Sequence, residues 1–326
     1  MIADVSEYIQ DWKVEVIENE CLKVCVIPEL GAKIVQITDK RAQYEWLWTD
    51  ASRPLRARVS GDLYDQHDIS GFDECFPNIG ISPYPNNANI SMPDHGELWS
   101  QAWQYQRSEH SVTTSVEGKV LPYTFQRTIT LQEDSLLFSY SIENLGLEEF
   151  YAFWSAHPLF HAVEGMEIIV NGNPSMTKEF GFSGRMGSDG NDGYEGHLDK
   201  YVWPHTLDEA GSTQDISHIT YAKALTDKVV LNSPEDGVIT LLNHKDQVSV
   251  SFILDPKKIP YVGVCFNLNA WPFSGQKGKW LAIEPSFGPT DKLDECQNLG
   301  QAPIFAPNHP FKFEFSMVFG YSGRGN

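Results

Sequence analysis

An alternation of apolar and polar residues with a period of two runs through most of the chain. It is most regular in FKFEFSMVF (311–319), where every second side chain from Phe311 to Phe319 is large and apolar. The same period recurs in residues 22–26, 34–38, 125–131 and 136–142. Successive side chains of a β-strand point to opposite faces, so the pattern predicts strands with one buried face and one solvated face.

Turn signals join some of these strands into hairpins. Apolar residues alternate over 238–242 and again over 248–254, on either side of a polar turn at 243–246, which predicts a hairpin. A helical period is rare. It predicts one short helix over 290–300, with Leu293, Cys296 and Leu299 inward, and a weaker one over 212–225.

The order of these patterns limits the fold class. Many strands follow one another at short spacing over 326 residues, without the strand–helix alternation of a doubly wound protein. We therefore predict an all-β fold, a large antiparallel β-sandwich with few short helices, as a single domain over 1–326. The segment 171–215 is rich in Gly, Asn and Asp. We interpret it as an insertion over one face, not as a domain boundary.

Charge and cysteine usage limit the partners and the compartment. The formal net charge of −20 disfavours binding to nucleic acid or to an anionic membrane surface. The five cysteines are odd in number and form no CxxC pair, which indicates free, mostly buried thiols in a reducing compartment. The first residues, MIADVSEYIQDW, lack the basic and apolar regions of a signal peptide. We expect a cytoplasmic protein, monomeric or homodimeric, that acts on a small molecule.

One carboxylate stands out at a predicted strand end. In LAIEPSFGPTD (281–291), the apolar strand reaches Glu284 and must stop at Pro285, because proline cannot continue a hydrogen-bonded ladder. Apolar neighbours partly desolvate a carboxylate at such a junction and make it more basic. Glu284 is therefore a candidate general base, although an ordinary hydrogen-bonded strand-end glutamate fits this stretch about as well.

Two histidine stretches lie in similar settings. His95 lies in PDHGELWSQAW (93–103), and His157 and His161 lie in FWSAHPLFHA (153–162). His157 and His161 are four residues apart and face the same way on a strand, so the residues alone leave open which of them acts. The three imidazoles could bind zinc, but Pro158 and the lack of a matching acidic or cysteine cluster disfavour that, and we expect neither metal nor cofactor.

Aromatic and amide side chains accompany these ionisable groups. Trp99 and Trp103 follow His95, Trp154 precedes His157, and Asn269 and Trp271 lie ahead of Glu284. Each tryptophan alone is explained by core packing. Together with two histidines and a glutamate they suit a sugar, because aromatic rings cover its C–H faces while amides and imidazoles bond to its hydroxyls.

The order of three motifs points to a known superfamily. MPDHGELWSQAW (92–103), AHPLFHA (156–162) and LAIEPSFGPTD (281–291) resemble motifs of the aldose 1-epimerase, or galactose mutarotase-like, superfamily. SGFDECFPNIG (70–80) and IPELGAKIVQI (27–37) resemble further segments of these proteins, so the resemblance spans nearly the whole chain. It implies a β-supersandwich with an open carbohydrate cleft, and interconversion of α and β anomers of an aldose without a cofactor.

The resemblance also implies roles for individual residues. Glu284 would be the base, His157 the acid, and His95 would help hold the ring oxygen or a neighbouring hydroxyl. By position only, Arg58 and Asp65 could bind sugar hydroxyls. The residues predicted to contact the substrate are Trp99, Trp271, Asn269, Asp73, Glu74 and His161.

Three alternative functions stay open. Hexose-6-phosphate 1-epimerases carry an arginine shortly after the first histidine, but Trp99 stands there, and Asp73 and Glu74 replace a cationic side chain nearby. This argues against a phosphorylated sugar. A non-catalytic carbohydrate-binding protein of the same fold is the second alternative. A glycoside hydrolase or lyase is the third. Hydrolysis would need a second carboxylate facing Glu284, for which the candidates are Glu74, Asp94 and Glu97.

Overall fold

Two large antiparallel β-sheets form the body of the chain. The structure is a computed structural model that describes residues 7–187, 193–273 and 276–322. In these residues, one sheet has 14 strands, the other has eight, and two further sheets have two strands each. This confirms the predicted all-β fold of packed antiparallel sheets.

The described strands are short, and most have three to eight residues. In chain order they are β1 (Glu7–Ile9), β2 (Trp12–Glu18), β3 (Leu22–Ile27), β4 (Lys33–Asp39), β5 (Tyr44–Glu45), β6 (Phe72–Cys75), β7 (Ser82–Tyr84), β8 (Asn87–Met92), β9 (Gln104–Arg107), β10 (Ser111–Glu117), β11 (Tyr123–Gln132), β12 (Ser135–Asn144), β13 (Phe150–Tyr151), β14 (Ser155–His161), β15 (Glu167–Val170), β16 (Ser175–Gly181), β17 (Lys200–Val202), β18 (His205–Leu207), β19 (Thr213–Asp215), β20 (Leu225–Asn232), β21 (Val238–Asn243), β22 (Val248–Leu254), β23 (Tyr261–Leu268), β24 (Lys279–Ser286), β25 (Ile304–Phe305) and β26 (Phe311–Tyr321).

The centre of the larger sheet combines strands that are far apart in sequence. Its order is β1, β2, β3, β4, β6, β14, β24, β23, β20, β16, β17, β18 and β19, with β5 on the side of β4. The smaller sheet has the order β15, β21, β22, β26, β12, β11, β10 and β9. Strands β6, β14, β24, β23 and β20 therefore lie side by side, although they span residues 72–286.

The core lies between the two sheets and follows the predicted alternation. In β26, Phe313, Phe315, Met317 and Phe319 are buried, whereas Phe311 at the start of the strand is partly exposed. Cross-strand aromatic pairs reinforce the β12–β26 ladder: the rings of residues 138 and 315 stack at 4.7 Å. The hairpins β11–β12 and β21–β22 have the predicted strands.

The helix predictions were partly correct. The short helix α1 (Leu293–Asn298) buries Leu293 and Cys296 as predicted. Leu299 is 47% exposed, because α1 ends one residue earlier and Leu299 leaves its buried face. The helix predicted over 212–225 was wrong: this stretch contains β19 and runs into β20. Two 3₁₀ turns, at Tyr64–Gln66 and Leu98–Ser100, complete the described helical structure.

The segment 171–215 contributes strands to the larger sheet. In its described part, β16, β17, β18 and β19 extend the larger sheet at one edge. The five cysteines are free thiols, and all except Cys21 are buried. Within the described residues, no helix has the length and apolar character needed to cross a bilayer.

A buried ion pair joins the two sheets. Glu74 of β6 points between the sheets and accepts a hydrogen bond of 2.9 Å from the guanidinium of Arg127 on β11. Tyr140 and Trp154 donate to the same carboxylate, at 2.9 and 2.6 Å. Burial raises the pKa of Glu74, and the Arg127 charge opposes that rise. Both side chains are fully buried, so each depends on the other for its charge compensation.

Replacing Arg127 by methionine should strongly destabilise the protein. Arg127→Met leaves the Glu74 carboxylate buried without its cation, and breaking a buried pair typically lowers the free energy of unfolding by about 3–5 kcal/mol. Urea denaturation followed by circular dichroism measures this. Lys40→Met is the control, because its partner Glu18 is half exposed and the expected loss is at most about 1 kcal/mol. If both variants lost the same free energy of unfolding, the buried Glu74–Arg127 pair would not have the stabilising role inferred here.

Candidate active site

A cavity of about 530 Å³ opens on the larger sheet where its central strands meet. Its floor is formed by side chains of β14, β24, β23 and β20 that point away from the core between the sheets. Loops that contain Tyr64 and His95 close one side. Residues that are distant in sequence therefore converge on one volume.

His157 and Glu284 face each other across two neighbouring strands. In the β14–β24 ladder Ser155 pairs with Ser286 and Leu159 with Ala282, so His157 lies opposite Glu284 in the same register. The imidazole Nε2 is 3.9 Å from the carboxylate Oε1, and the side chains are only 6% and 1% exposed. This distance is too long for a direct hydrogen bond, so one substrate oxygen could contact both atoms.

Each of these two side chains has one buried polar atom without a hydrogen-bond partner among the described residues. These atoms are Glu284 Oε1 and His157 Nδ1. Buried polar atoms in native proteins are usually hydrogen-bonded, and the exceptions occur often at functional sites. Glu284 lines the cavity, and its Oε1 is an acceptor without a partner among the described residues.

Lys228 on β20 holds the other carboxylate oxygen. Its Nζ donates to Glu284 Oε2 at 2.7 Å and to Asp291 Oδ1 at 2.7 Å. Strand β23 lies between β20 and β24, and Gly263, which pairs with Glu284, provides the space for this contact. A Cβ at Gly263 would lie 3.0 Å from Glu284 Oε2 and 3.3 Å from Lys228 Cε. The glycine thus lets the lysine reach across an intervening strand.

The ion pairs determine the protonation of Lys228. Burial by itself would lower its pKa, but the charges of Asp291 and Glu284 outweigh burial and hold the pKa well above the ordinary value. Lys228 is therefore a permanent cation beside Glu284.

The loop after β8 positions His95. Its backbone is in the left-handed region (φ 56°), and its N–H donates to Ile79 O at 2.6 Å. Its Nδ1 lies 2.8 Å from Asp94 Oδ1, and an ionised carboxylate only accepts, so Nδ1 carries the proton. The His95 ring stacks on Tyr64 at 4.1 Å and meets His157 edge-on at 5.1 Å.

A buried charge network lies beneath the histidines. Lys33 contacts Asp73 at 2.7 Å and Asp68 at 3.1 Å, and Arg58 contacts the same two carboxylates at 3.2 and 2.8 Å. Tyr64 donates to Asp73 at 3.0 Å, so the network holds the ring on which His95 stacks. Burial would raise the pKa of Asp73, but Lys33 and Arg58 outweigh it and lower that pKa to about 2.

His157 is neutral at physiological pH. Burial lowers its pKa well below the ordinary value of 6.5, and the nearby His95 and Lys228 lower it further. Asp73 and Asp291 oppose this shift without cancelling it. A proton on His157 is therefore held weakly.

Comparison with solved structures identifies the fold. No protein-family model matches the sequence, and no curated protein matches it significantly. The structure is similar to a galactose mutarotase related enzyme from Lactobacillus acidophilus (16% identity, 95% of this chain and 98% of that chain, TM-score 0.67). It is also similar to galactose mutarotase-like proteins from Clostridium acetobutylicum (14% identity, 97% and 98%, TM-score 0.66) and Lactobacillus casei (18% identity, 94% and 100%, TM-score 0.60).

The chain has the galactose mutarotase-like fold. This confirms the fold that the resemblance of the sequence motifs implied.

The galactose mutarotase-like fold brings six of the candidate residues named from the sequence to the cavity. Glu284, His157, His95 and Trp271 line it, as do Asp65 and Asp94. Asp94 accepts from the backbone N–H of Tyr64 and bonds to His95, so it positions the loop beside the cavity. His157 faces Glu284, whereas His161 lies four residues further along β14, opposite Trp280, and is not part of the lining.

Other predicted contact residues lie outside the lining. Trp99 is buried under the guanidinium of Arg58 (4.9 Å to the ring), and its indole N–H donates to Asp94 O and Gly96 O. It thus supports the His95 loop from below. Asn269 is exposed in the turn after β23.

The carboxylates proposed for substrate contact or hydrolysis are mostly structural. Asp73 lies under Tyr64, and its neighbour Glu74 points the other way, between the sheets. Glu97 accepts from Tyr123 Oη and from the backbone N–H groups of Lys119 and Val120. None of the three lines the cavity, and each already has its partners.

Sequence reasoning missed Lys228 and Tyr64. A signal for Lys228 existed: it interrupts LTDKVVL (225–231), and a lysine inside an apolar strand is rarely buried unless it is paired. Its partner could not be read from the sequence, because Glu284 is 56 residues away. Tyr64 lies in an irregular loop, where no periodicity indicates which way a side chain points.

Among the described residues, one group has the composition of a cation site. Ligand atoms of Glu179, His197 and Glu295 lie within 4.8 Å of one another. Lys292 and His197 already contact Glu295, at 3.2 and 2.8 Å. Burial and the charge of Asp291 raise the pKa of Glu179 well above its ordinary value, which favours the uncharged form of this carboxyl. With Glu295 already paired, the group carries no proposal of a metal site.

Adding a methyl group at Gly263 should destabilise the protein by separating Lys228 from Glu284. Gly263→Ala is expected to lower the free energy of unfolding by about 1–3 kcal/mol, as overpacking does, although Gly→Ala at an uncrowded position usually stabilises. The loss should be smaller in a Lys228→Met background, where no ion pair remains. Urea denaturation of the four proteins of this double-mutant cycle measures the difference. Equal losses in both backgrounds would show that the glycine serves another purpose.

Proposed function

We propose that the protein is an aldose 1-epimerase that interconverts the α and β anomers of a neutral aldose without a cofactor. One observation carries the proposal: Glu284 Oε1, buried and without a partner among the described residues, lies 3.9 Å from His157 Nε2 at the floor of an accessible cavity. The fold shared with the galactose mutarotase related enzyme from Lactobacillus acidophilus supports it.

The reaction needs two coupled proton transfers. Glu284 Oε1 takes the proton from the anomeric hydroxyl, and the electron pair of that O–H bond forms the C1=O1 carbonyl. The C1–O5 bond breaks, and the ring oxygen takes a proton from the imidazolium form of His157, which becomes neutral. Rotation about C1–C2 presents the other face of the carbonyl, and both transfers then reverse. Each proton-transfer partner contributes roughly 10²–10⁴-fold to the rate.

Lys228 and His95 position the reacting groups. Lys228 fixes Glu284 Oε2, which leaves Oε1 directed to the substrate. His95 Nδ1 is occupied by Asp94, so in the neutral ring Nε2 accepts a hydrogen bond from a sugar hydroxyl. Two fixed orientations reduce the entropy lost when the sugar is held for reaction.

The charges around the cavity favour a substrate without phosphate. Asp65, Asp94, Glu284 and Asp291 line it, against the lysines at 228 and 292. Lys228 is paired with two carboxylates and Lys292 with Glu295. Arg58 lies outside the lining, paired with Asp68 and Asp73. The described lining thus offers no unpaired cation to a phosphate, which argues against the hexose-6-phosphate reaction.

A specific observation favours a second candidate, a sugar-binding protein without turnover. Burial, with the nearby His95 and Lys228, lowers the pKa of His157, so the proposed acid is rarely protonated and proton donation to the ring oxygen becomes harder. Such a protein would bind an aldose in the cavity and leave its anomeric equilibrium unchanged.

Loss of the base tests the proposed function. Polarimetry follows freshly dissolved α-glucose, α-galactose and other neutral aldoses with and without the protein. Wild type should accelerate equilibration of at least one sugar. Glu284→Gln keeps the shape but removes the base and should lower kcat/KM by about 10²–10⁴-fold. The matched control is Glu117→Gln at the exposed end of β10, which should not change the rate.

Two results would reject the enzyme assignment. One is that no neutral aldose equilibrates faster than in buffer. The other is that Glu284→Gln, checked for folding by circular dichroism, is as fast as wild type. Saturable sugar binding without acceleration would establish the second candidate.

The pH dependence should report the lowered pKa of His157. The acid must be protonated to donate, so kcat/KM falls as pH rises above this pKa, which lies well below 6.5. We expect a loss of up to about tenfold per pH unit between pH 6 and pH 8. Polarimetry in buffers of constant ionic strength measures it. A rate that increases over this interval would be inconsistent with His157 as the acid.

A further inference from the structure

The cavity changes character between its floor and its mouth. The floor carries the ionisable side chains His95, His157, Lys228 and Glu284. The mouth carries large apolar side chains, several of them exposed to solvent. A ligand that matches the whole cavity therefore has one end for polar contacts and another with apolar faces.

Four aromatic side chains at the mouth contact one another. The Phe182 ring lies 5.1 Å from Phe273 and 6.2 Å from Tyr194, and Phe180 lies 6.0 Å from both Phe182 and Tyr194. Phe273 is 64% exposed and Tyr194 is 50% exposed. We call these four residues the aromatic ledge. Phe180 and Phe182 are half-buried, and Phe182 contacts both exposed rings. An exposed apolar patch of this kind beside a cavity is typical of a recognition surface.

The cavity is larger than a single pyranose ring requires. About 530 Å³ lies within the range of about 300–1,000 Å³ that holds drug-sized ligands. One pyranose over Glu284 and His157 leaves the space beside the aromatic ledge unfilled. Exposed Leu63 and Ile81 also line the cavity, so the apolar character continues beyond the ledge.

We propose that the aromatic ledge binds the second ring of a reducing disaccharide, whose reducing-end ring lies over Glu284 and His157. This inference rests on the proposed function, because the reaction requires a free anomeric hydroxyl at the floor. The second ring must therefore be joined through another hydroxyl of the reducing-end sugar. Its C–H faces stack on the aromatic rings, as sugars do on aromatic side chains.

Polar groups beside the ledge favour a sugar over an alkyl or aryl substituent. Lys292 Nζ lies 5.9 Å from the centre of the Tyr194 ring, and Lys292, Asp291 and Asp65 all belong to the lining. Hydroxyls of a second ring can bond to these groups while the ring faces stack. A hydrocarbon substituent would remove the water that is hydrogen-bonded to these groups and would offer no hydrogen bonds in its place.

Binding of disaccharides compared with glucose tests the proposal. Tryptophan fluorescence is a suitable signal, because Trp271 and Trp280 line the cavity. Maltose, cellobiose and isomaltose all end in a reducing glucose. At least one should bind roughly tenfold more tightly than glucose, which corresponds to the stacking of one further ring. Phe273→Ala should remove most of that preference and leave the affinity for glucose within about twofold.

The matched control is Tyr8→Ala in edge strand β1, because Tyr8 is 63% exposed but does not line the cavity. It should change neither affinity. The proposal is overturned if no disaccharide is preferred over glucose, including the case in which no sugar binds. The proposal is equally overturned if Phe273→Ala leaves the preference for the disaccharide intact. It is also overturned if this variant lowers the affinities for the disaccharide and for glucose by the same factor.

Polarimetry separates this inference from the proposed function. A disaccharide preference that Phe273→Ala removes, without any acceleration of mutarotation, supports the ledge and rejects the enzyme. Accelerated mutarotation of glucose with no disaccharide preference supports the enzyme and rejects the ledge. In Glu284→Gln the preference should persist although turnover is lost.

Discussion

The ammonium of Lys228, held between Glu284 and Asp291, is the interaction on which the candidate site depends. A carboxylate as buried as Glu284 is costly to keep ionised unless a cation compensates it. The cation comes from β20 and reaches β24 across β23, because Gly263 has no side chain in the way. One oxygen of Glu284 is thereby fixed, and the other has no hydrogen-bond partner among the described residues. A charged group is thus held in a nearly dry environment in one orientation, which is what a general base needs.

Buried charge compensation recurs on both faces of the larger sheet. Asp73 and Glu74 are neighbours on β6, both fully buried, and they point in opposite directions. Asp73 faces the cavity side and joins the network of Lys33 and Arg58 under Tyr64. Glu74 faces the core and pairs with Arg127 of the other sheet. One short strand therefore supports the histidines above it and fixes the two sheets relative to each other.

The same burial that orders the site also sets its chemistry. His157 is neutral because its surroundings are dry and already contain a cation, so the proposed acid releases its proton readily but is seldom protonated. The charged groups and the aromatic ledge occupy different parts of the cavity lining. Under the proposed function, the charged floor would orient one ring for proton transfer and the ledge would contact a second ring. Such a separation would leave the geometry around Glu284 undisturbed by the second ring.

The sequence by itself determined the strands and the candidates for catalysis. The period of two follows from backbone geometry, so strands such as β12 and β26 were predictable, whereas the weak helical pattern over 212–225 was overridden by sheet pairing. Glu284, His157 and His95 emerged because each lies in a local motif. Only the tertiary structure decided that Lys228 pairs with Glu284, that His157 rather than His161 faces it, and that Trp99 is buried while Trp271 lines the cavity. These outcomes depend on which distant strands become neighbours and in which register, and no local pattern contains that information.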